Sequence, residues 1–388
     1  MPKEYWSASR IDTANYCNMR YYLKYVDLNK PKSLRLSAYV KGSLLHKIIE
    51  DFWTHLGTFE EVEKDKKNNK KKAKEKKKYY NAESFGKYAQ GKWIQTVIRN
   101  QGVKNINQKI FWKGGYEDES EAWQISATMP AMTSALYNVI IKEGPPIYSE
   151  LQFDFEAEGL RFKGFIDEIR IRDGKVVIRD YKSGSPFWIK EMKRDFDPQL
   201  TFYNAGLSSL FYGNNQKSKD FAKSLGLEKQ REELINSKNY INPEFEEEYF
   251  MVEAPYLLEK MDTDVNFAKK FSTRPEIIHK TNRTEKHFYH LVNNIKKIKK
   301  KIQKGDISFE HGKKCDMCDI RHICRKKSTE NIETTVTDRK GNLLFSFMDP
   351  PYLDNPLEPG ENKIENNSPK ENQRKFDYRR KEPWKGRD

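Results

Sequence analysis

The stretch GFIDEIRIRDGKVVIRDYKSG, residues 164–184, holds two strand patterns separated by the turn signal Asp173-Gly174. Its first half alternates apolar and polar residues as a half-buried strand does, and its second half starts with a continuous apolar run typical of a sheet centre. The preceding stretch SELQFDFEAEG, residues 149–159, alternates as well. The three runs predict an antiparallel meander in which the region of Asp167 lies alongside Asp180.

Three charged residues of this meander point to metal-dependent chemistry. Residues two apart in a strand face the same side, so Asp180 and Lys182 point together, and the hairpin brings Asp167 beside them. Two carboxylates at one end of a sheet offer the hard oxygen ligands that Mg²⁺ or Mn²⁺ prefers. Such a cation activates water against a phosphate, and a nearby ammonium stabilises the developing charge. The alternative interpretation is an ordinary surface ladder of acids and bases.

Two further motifs flank the meander. The stretch GSLLH, residues 42–46, lies in a segment whose apolar residues recur with helical period. The stretch QLTFY, residues 199–203, follows a helix-start signal and places Gln199 and Tyr203 on one helical face. Taken alone, His46 would be a packed core residue, and the other pair would be a core tyrosine with a satisfied amide.

In this order, the motifs resemble those of the RecB-type members of the PD-(D/E)XK nuclease superfamily. GFID at 164–167 matches the family's Gly-x-x-Asp strand, DYKSG at 180–184 matches its Asp-Tyr-Lys-Ser/Thr-Gly strand, and QLTFY matches its Gln-x-x-x-Tyr helix. Ile166 stands where the superfamily name has Pro, as is usual among RecB-like members. The resemblance implies that the catalytic residues are His46, Asp167, Asp180 and Lys182. It implies that the ligands of Mg²⁺ or Mn²⁺ are His46, Asp167, Asp180 and the main-chain carbonyl of Tyr181.

The resemblance also implies the fold and the surroundings of the site. The expected fold is α/β, a restriction-endonuclease-like core with a central mixed β-sheet flanked by helices and an N-terminal helical region. Gln199 and Tyr203 are expected near the DNA backbone and the catalytic strand. Glu150 resembles the acidic residue that opens the preceding strand, and we expect it to support the same site.

The cysteines suggest a second metal centre. A C-x2-C-x5-C run follows a long lysine-rich helix, and the remaining cysteine lies almost 300 residues upstream. Thiolates in this number suit a [4Fe–4S] cluster or tetrahedral zinc, and His311 or His322 would complete a Cys₃His zinc site; unrelated buried thiols are the third reading. One cysteine before the nuclease motifs and three after them resembles the iron–sulfur subgroup of RecB-like nucleases. The implied cluster ligands, which would tie the N-terminal helix to the C-terminal segment, are Cys17, Cys315, Cys318 and Cys324.

Composition bounds the remaining expectations. The chain has 388 residues and a formal charge of +15, with ten lysines between residues 64 and 78. We expect a nuclease domain over 1–326, including a flexible lysine-rich insertion at 60–78 and a helical region at 79–148, followed by a mostly disordered tail at 327–388. No stretch has the roughly 20 apolar residues of a membrane span, and no signal peptide is evident. We therefore expect an intracellular protein, cytoplasmic, of viral or bacterial origin.

These expectations converge on a metal-dependent DNA nuclease, an exonuclease on single-stranded ends that acts in replication, repair or recombination. The alternatives are a non-catalytic DNA-end-binding or adaptor protein on a nuclease fold, and an endonuclease. A helicase or recombination protein is the expected partner, since the chain has no Walker A loop. Four aromatic residues are candidates for stacking on bases in a basic channel, although such residues are more often part of the core: Tyr79, Tyr80, Trp93 and Trp188.

Overall fold

The computed structural model describes most of the chain up to Cys324, and all described residues belong to the compact unit Met1–Ser346. The lysine-rich insertion and the C-terminal tail lie outside the described residues. Five residues considered above also lie outside the described residues: Tyr79, Tyr80, Trp188, His311 and His322. The described residues are 5–27, 33–56, 81–104, 109–113, 115–116, 118–184, 186, 197–212, 216–237, 239–304, 315, 318–321 and 324.

The centre of the molecule is a mixed six-stranded sheet. The strand order is β1-β5-β6-β7-β8, and β4 pairs with β5 outside this path. A separate pair of two-residue strands, β2 and β3, is parallel. The strands are β1 (Tyr5–Trp6), β2 (Arg35–Leu36), β3 (Ile110–Phe111), β4 (Tyr148–Ala157), β5 (Leu160–Arg172), β6 (Lys175–Lys182), β7 (Glu246–Met251) and β8 (Ile278–Thr281).

The predicted meander is confirmed, because β4 pairs antiparallel with β5 and β5 pairs antiparallel with β6. The long strand β5 changes neighbours along one edge. It pairs there with β1 at Arg161 and Phe162, and with β6 only from Glu168 onward. Among the described strands, none pairs with residues 163–167 on that edge. The sheet therefore has a gap at Asp167.

Helices cover both sides of this sheet. One core cluster includes Phe202 and Phe288 from helices on one side, and the other includes Phe52, Trp93 and Leu136 from helices on the opposite side. None of the described helices is long and apolar enough to cross a membrane. The helices are α1 (Ala8–Tyr16), α2 (Asn18–Tyr21), α3 (Ser37–Leu56), α4 (Ala82–Gln101), α5 (Ser120–Glu143), α6 (Pro198–Tyr212), α7 (Gln216–Ser224), α8 (Glu228–Ser237), α9 (Ala254–Thr263), α10 (Val265–Ala268) and α11 (Glu285–Gln303).

A close approach between α6 and the meander explains the first motif glycine. A Cβ atom added to Gly164 would lie 2.8 Å from Phe153 Cζ and 2.8 Å from Phe202 Cε1. Real carbon atoms do not approach so closely, so a side chain at this position would push α6 away from the sheet. The glycine of the Gly-x-x-Asp motif thus lets α6, which holds Gln199 and Tyr203, pack against β5.

The structure changes three local expectations. The sequence predicts one helix over residues 7–26, but this helix is broken at Cys17, which has an extended backbone (φ −166°) between α1 and α2, and a π-helical turn follows at Tyr22–Val26. The expected helical region 79–148 contains α4 and α5 and also β3, whose register with β2 depends on a distant segment. The sequence predicts a further strand over FEEEYFMVEAPY, residues 245–256, but β7 ends at Met251, and α9 begins at Ala254 because Pro255 suits a helix start.

Candidate active site

Three elements meet at the gap in the sheet. His46 comes from α3, Asp167 from β5, and both Asp180 and Lys182 from the end of β6. The motif glycine of α3 permits the approach of this helix, because a Cβ atom on Gly42 would lie 2.8 Å from the Ser183 hydroxyl oxygen just after β6. The structure therefore brings together residues that are more than a hundred positions apart in the chain.

One group of metal-ligating side chains lies in this gap. Within the described residues, the three that offer ligand atoms all within 4.8 Å of one another are His46, Glu150 and Asp167. His46 Nδ1 lies 3.3 Å from Asp167 Oδ2. The same carboxylate oxygen accepts a hydrogen bond of 2.9 Å from the main-chain N–H of Tyr181, just beyond the last β5–β6 pair. Asp167 thus bridges the point where the two strands separate.

Glu150 has an unusual backbone conformation. It lies opposite Asp167 in the β4–β5 register, between the pairs Ser149–Glu168 and Leu151–Ile166, and its φ is +52°. A non-glycine residue in the left-handed region within a strand is strained, and such strain concentrates at functional sites. The sequence predicted only a supporting role for Glu150, whereas the structure includes it in the metal-ligand group, which no alternation rule would reveal.

Asp180 and Lys182 form a second part of the site, on the side of the sheet that faces α6. Lys182 Nζ lies 2.7 Å from Asp180 Oδ2 and donates to Gln199 Oε1 over 2.5 Å. The Gln199 amide nitrogen donates to Asp180 Oδ1 over 2.6 Å and to the Tyr203 hydroxyl over 2.8 Å. Gln199 and Tyr203 therefore hold both motif residues of β6 through one continuous hydrogen-bonded chain.

The electrostatics of the gap show an excess of negative charge. Burial raises the pKa of Asp167 well above its usual range, and the nearby Asp180 and Glu150 raise it further. The pKa of Asp180 is also raised by burial, although the Lys182 ammonium opposes this. Burial lowers the pKa of His46, so its imidazole is neutral and does not offset the carboxylates at neutral pH. Such a site favours an added cation.

A cleft of about 230 Å³ opens at this place. Sequence reasoning missed four of its lining residues, Glu50, Trp53, Ser149 and Glu168, because nothing in their local patterns differs from ordinary helix and strand residues. Glu50 matters electrostatically, since burial and then the Glu50 charge raise the pKa of Glu150. The complete lining is His46, Ile49, Glu50, Trp53, Ser149, Glu150, Asp167, Glu168 and Tyr181.

The opposite side of β6 carries a buried ion-pair network. Arg179, which is fully buried, donates to Glu248 over 2.7 Å and makes a two-pronged contact of 2.6 and 2.9 Å with Glu143 at the end of α5. The Tyr181 hydroxyl donates to Glu168, which also pairs with Arg170. This network fixes β6 directly behind Asp180 and Lys182.

The cysteine-bearing segments meet away from this gap. Asp319, next to Cys318, accepts from Arg20 Nε over 2.8 Å and from Lys24 Nζ over 2.7 Å, and both donors follow Cys17 in the chain. Burial raises the pKa of the Cys318 thiol, and the charge of the nearby Cys17 raises it further. The four thiols do not form a set of mutually close ligand atoms among the described residues.

A model of the PD-(D/E)XK nuclease superfamily matches residues 5–325. The chain belongs to this superfamily. The Gene 69 protein of Mycobacterium phage L5 is 29% identical over 86 residues, which are 22% of this chain and 29% of that protein. The match thus spans less than a third of that relative's length. No solved structure matches the chain significantly.

This PD-(D/E)XK protein has the mixed sheet flanked by helices that its sequence predicts, and membership supports nuclease activity. One aromatic expectation is wrong. Trp93 is fully buried, and its indole N–H donates to the Ala122 carbonyl over 2.9 Å, so it is a core residue and not a base-stacking platform. Its position on the inner face of α4 explains this, because α4 packs along α5.

Proposed function

We propose that this nuclease is a deoxyribonuclease of the RecB-like type that hydrolyses phosphodiester bonds from the free ends of single-stranded DNA, with Mg²⁺ or Mn²⁺. The observation that carries the proposal is the gap in the sheet, where Asp167, Glu150 and His46 lie opposite the Asp180–Lys182 pair. A degenerate DNA-binding member of the superfamily would need neither the lysine nor the excess of carboxylates.

The side chains present fit a divalent cation. Two carboxylates and one imidazole offer ligand atoms within 4.8 Å of one another, and burial, followed by the nearby charge of Asp180, raises the pKa of Asp167. Carboxylate oxygens suit Mg²⁺ and Mn²⁺, and the imidazole favours Mn²⁺ of the two. We expect Asp180 and the Tyr181 carbonyl to join the ligand set. When bound, the cation would act as a Lewis acid and lower the pKa of its water.

The protein's own groups would then position and stabilise the reacting phosphate. Hydrolysis adds water across one P–O bond and yields a phosphate monoester and a hydroxyl. Asp180 holds the Lys182 ammonium at the end of β6, and Gln199 also contacts it. Burial lowers the pKa of this ammonium, but Asp180 and Asp197 outweigh that effect and raise it, so Lys182 is protonated. It would stabilise negative charge on the phosphate.

A single strand is the proposed substrate because the metal-ligand group lies in a gap within the sheet, lined by residues of α3, β4, β5 and β6. A strand with a free end reaches such a gap without prior melting. A role in replication, repair or recombination follows from this substrate, with a helicase as the source of single strands.

The cysteines are proposed to hold a [4Fe–4S] cluster. The donor set fits in number and type, because four thiols come from two segments that Arg20, Lys24 and Asp319 hold together. Anaerobically purified protein should then be brown and contain about four irons per chain. Colourless protein with one zinc would contradict the cluster and leave the nuclease proposal intact.

The test is degradation of end-labelled DNA by the full-length protein with Mg²⁺ or Mn²⁺. Asp180→Asn and Lys182→Ala should each lower cleavage at least about a hundredfold, with DNA binding nearly intact. Matched controls on the same sheet are Asp154→Asn and Lys175→Ala, which replace exposed charges and should cleave normally.

Substrate choice separates the alternatives. Cleavage of linear single strands, with closed circles left intact, supports an exonuclease. Nicking of closed circular DNA would show that the protein is an endonuclease. Faster cleavage of labelled RNA than of DNA would show that RNA is the substrate. Binding without any cleavage under both metals would make the protein a DNA-end-binding member of the superfamily.

A further inference from the structure

Helix α11 presents one long basic face to solvent. Its opposite face, which includes Phe288 and Ile295, is buried in the core. The first and last residues of the exposed face are eighteen positions apart, or about 27 Å at the rise of an α-helix. It includes no acidic residue. We refer to this face as the lysine stripe, and its exposed members are Lys286, His290, Asn293, Lys297, Lys300, Lys301 and Lys304.

The lysines of the stripe are not neutralised within the described part of the protein. None of the five makes an ion pair with another described residue, whereas Lys296, to one side of the stripe, lies 3.3 Å from Glu158. Lys297, Lys300, Lys301 and Lys304 are three or four residues apart in four pairings, and like charges at such spacings destabilise a helix. The stripe therefore has an unfavourable charge arrangement in the free protein.

The helix dipole does not account for the whole stripe. Cations near the C-terminus of a helix are favourable, which applies to Lys300 and Lys301 in the last turn. The effect falls off within one turn, so it does not reach Lys297. Lys286 lies in the first turn, where the same dipole disfavours a cation. A ligand with regularly spaced negative charges would compensate all of these positions.

The stripe runs away from the candidate active site along the sheet. Phe288 packs on Phe162 with ring centroids 6.0 Å apart, and Phe162 is five residues from Asp167 along β5, or roughly 17 Å. Lys296 contacts Glu158 in the turn before β5, and the first residue of β5 is seven residues from Asp167, or roughly 23 Å. Helix α11 also shares a core with α6, so it lies on the same side of the sheet as Gln199.

We propose that the lysine stripe binds the phosphate backbone of the nucleic acid strand whose end occupies the candidate active site. The inference rests on the proposed function and adds a second contact surface to it. At the 3.4 Å per phosphate of one duplex strand, roughly 23 Å corresponds to about seven nucleotides, and to fewer in an extended single strand. The stripe therefore grips the part of a long substrate that has not yet reached the catalytic residues.

The test neutralises the distal half of the stripe with Lys297→Gln, Lys300→Gln, Lys301→Gln and Lys304→Gln in one variant. For a 30-nucleotide single strand, KM and the dissociation constant should rise on the order of tenfold or more at low salt. The slope of log affinity against log salt should fall by about 0.7 per lost phosphate contact. For a four-nucleotide substrate KM should not change, and kcat should be unaffected for both.

A matched control removes the same charge elsewhere. Lys219, Lys223, Lys229 and Lys269 are exposed lysines outside α11, and their combined replacement by Gln should leave the salt slope nearly unchanged. Arginine at the four stripe positions should preserve binding, because phosphate contacts require charge and not a particular cation. An equal effect of both glutamine variants, or no effect of the stripe variant, would overturn the proposal.

Binding and cleavage are measured separately so that the two proposals fail separately. Binding is measured without divalent metal, and cleavage with it. If the wild type cleaves single strands but the stripe variant binds DNA as the wild type does, the proposed function stands and the stripe proposal fails. If the wild type never cleaves but binds DNA in a stripe-dependent manner, the proposed function fails and the stripe remains a DNA-binding surface.

Discussion

The side of the central sheet that faces α5 and the side that faces α6 both bury ionisable groups, but they balance the charges differently. Towards α5, Arg179 is fully buried and contacts Glu143 and Glu248, so carboxylates and guanidinium groups alternate. Towards α6, Asp180 is just as deeply buried, but its charged partner is the single ammonium of Lys182. Gln199 donates a hydrogen bond to the same carboxylate.

This difference separates structural charge from functional charge within consecutive residues of one strand. A buried ion pair with complete hydrogen bonding fixes geometry, whereas a cluster of buried carboxylates raises their pKa values and favours an incoming cation. Arg179 and Asp180 are adjacent in sequence, and the alternation of a strand directs them to opposite sides. The Arg179 network thus anchors β6, and the carboxylate cluster at the gap is left for a ligand.

The largest expected effect comes from a change in the carboxylate cluster at the gap. Asp167→Asn should lower cleavage about a thousandfold or more, because several kcal/mol of metal-derived stabilisation depend on this ligand set. In metal-free protein at neutral pH, the same change should leave the melting temperature equal or raise it, because it removes one of several mutually repelling carboxylates. Cleavage assays and metal-free thermal unfolding measure the two effects. A marked loss of stability would show that Asp167 is a structural residue.

The second-largest effect comes from a change in the Arg179 network. Arg179→Met should lower the free energy of unfolding by about 3–5 kcal/mol, because it leaves Glu143, Glu168 and Glu248 without their shared guanidinium. Chemical denaturation measures it. Arg161→Met, which removes an exposed partner of Asp154, is the control and should change stability little. Equal effects of the two variants would mean that burial of the network contributes nothing.

The smallest effect is expected at Glu247, whose neighbour Glu248 on β7 faces the other side of the sheet. Burial raises the pKa of Glu247 from 4.5 to about 7, and the hydrogen bond from Asn204 and the charge of Arg283 only partly oppose it. Glu248, on the other side, is paired with Arg179. Because the folded pKa of Glu247 lies above the unfolded value, its contribution to stability is fully present below about pH 4.5 and is lost as the pH rises through 7.

The Glu247 carboxyl should therefore lower the free energy of unfolding by on the order of 3 kcal/mol as the pH rises from 4.5 to 7.5, and Glu247→Gln should remove this loss. The measurement is urea unfolding of wild type and variant across this range. Glu248→Gln, the control from the Arg179 network, should instead destabilise the protein at neutral pH. Parallel pH profiles for wild type and Glu247→Gln would contradict the assigned cause.

Patterns of short range were readable from the sequence. The meander follows from alternation and the Asp173-Gly174 turn, and α6 begins at Pro198 as its start signal predicts. The common direction of Asp180 and Lys182 follows from the period of a strand. Long-range features were not readable, such as the parallel pairing of β6 with β7 across more than sixty residues.

The sequence by itself determined the strands, the helix start and the order of the nuclease motifs, because propensities and turn chemistry act between neighbouring residues. Only the tertiary structure decided which charges are neutralised. It placed Glu143 against Arg179, gave Glu150 its left-handed backbone opposite Asp167, and buried Trp93. These outcomes depend on desolvation and on partners supplied by distant segments, and no local pattern encodes them.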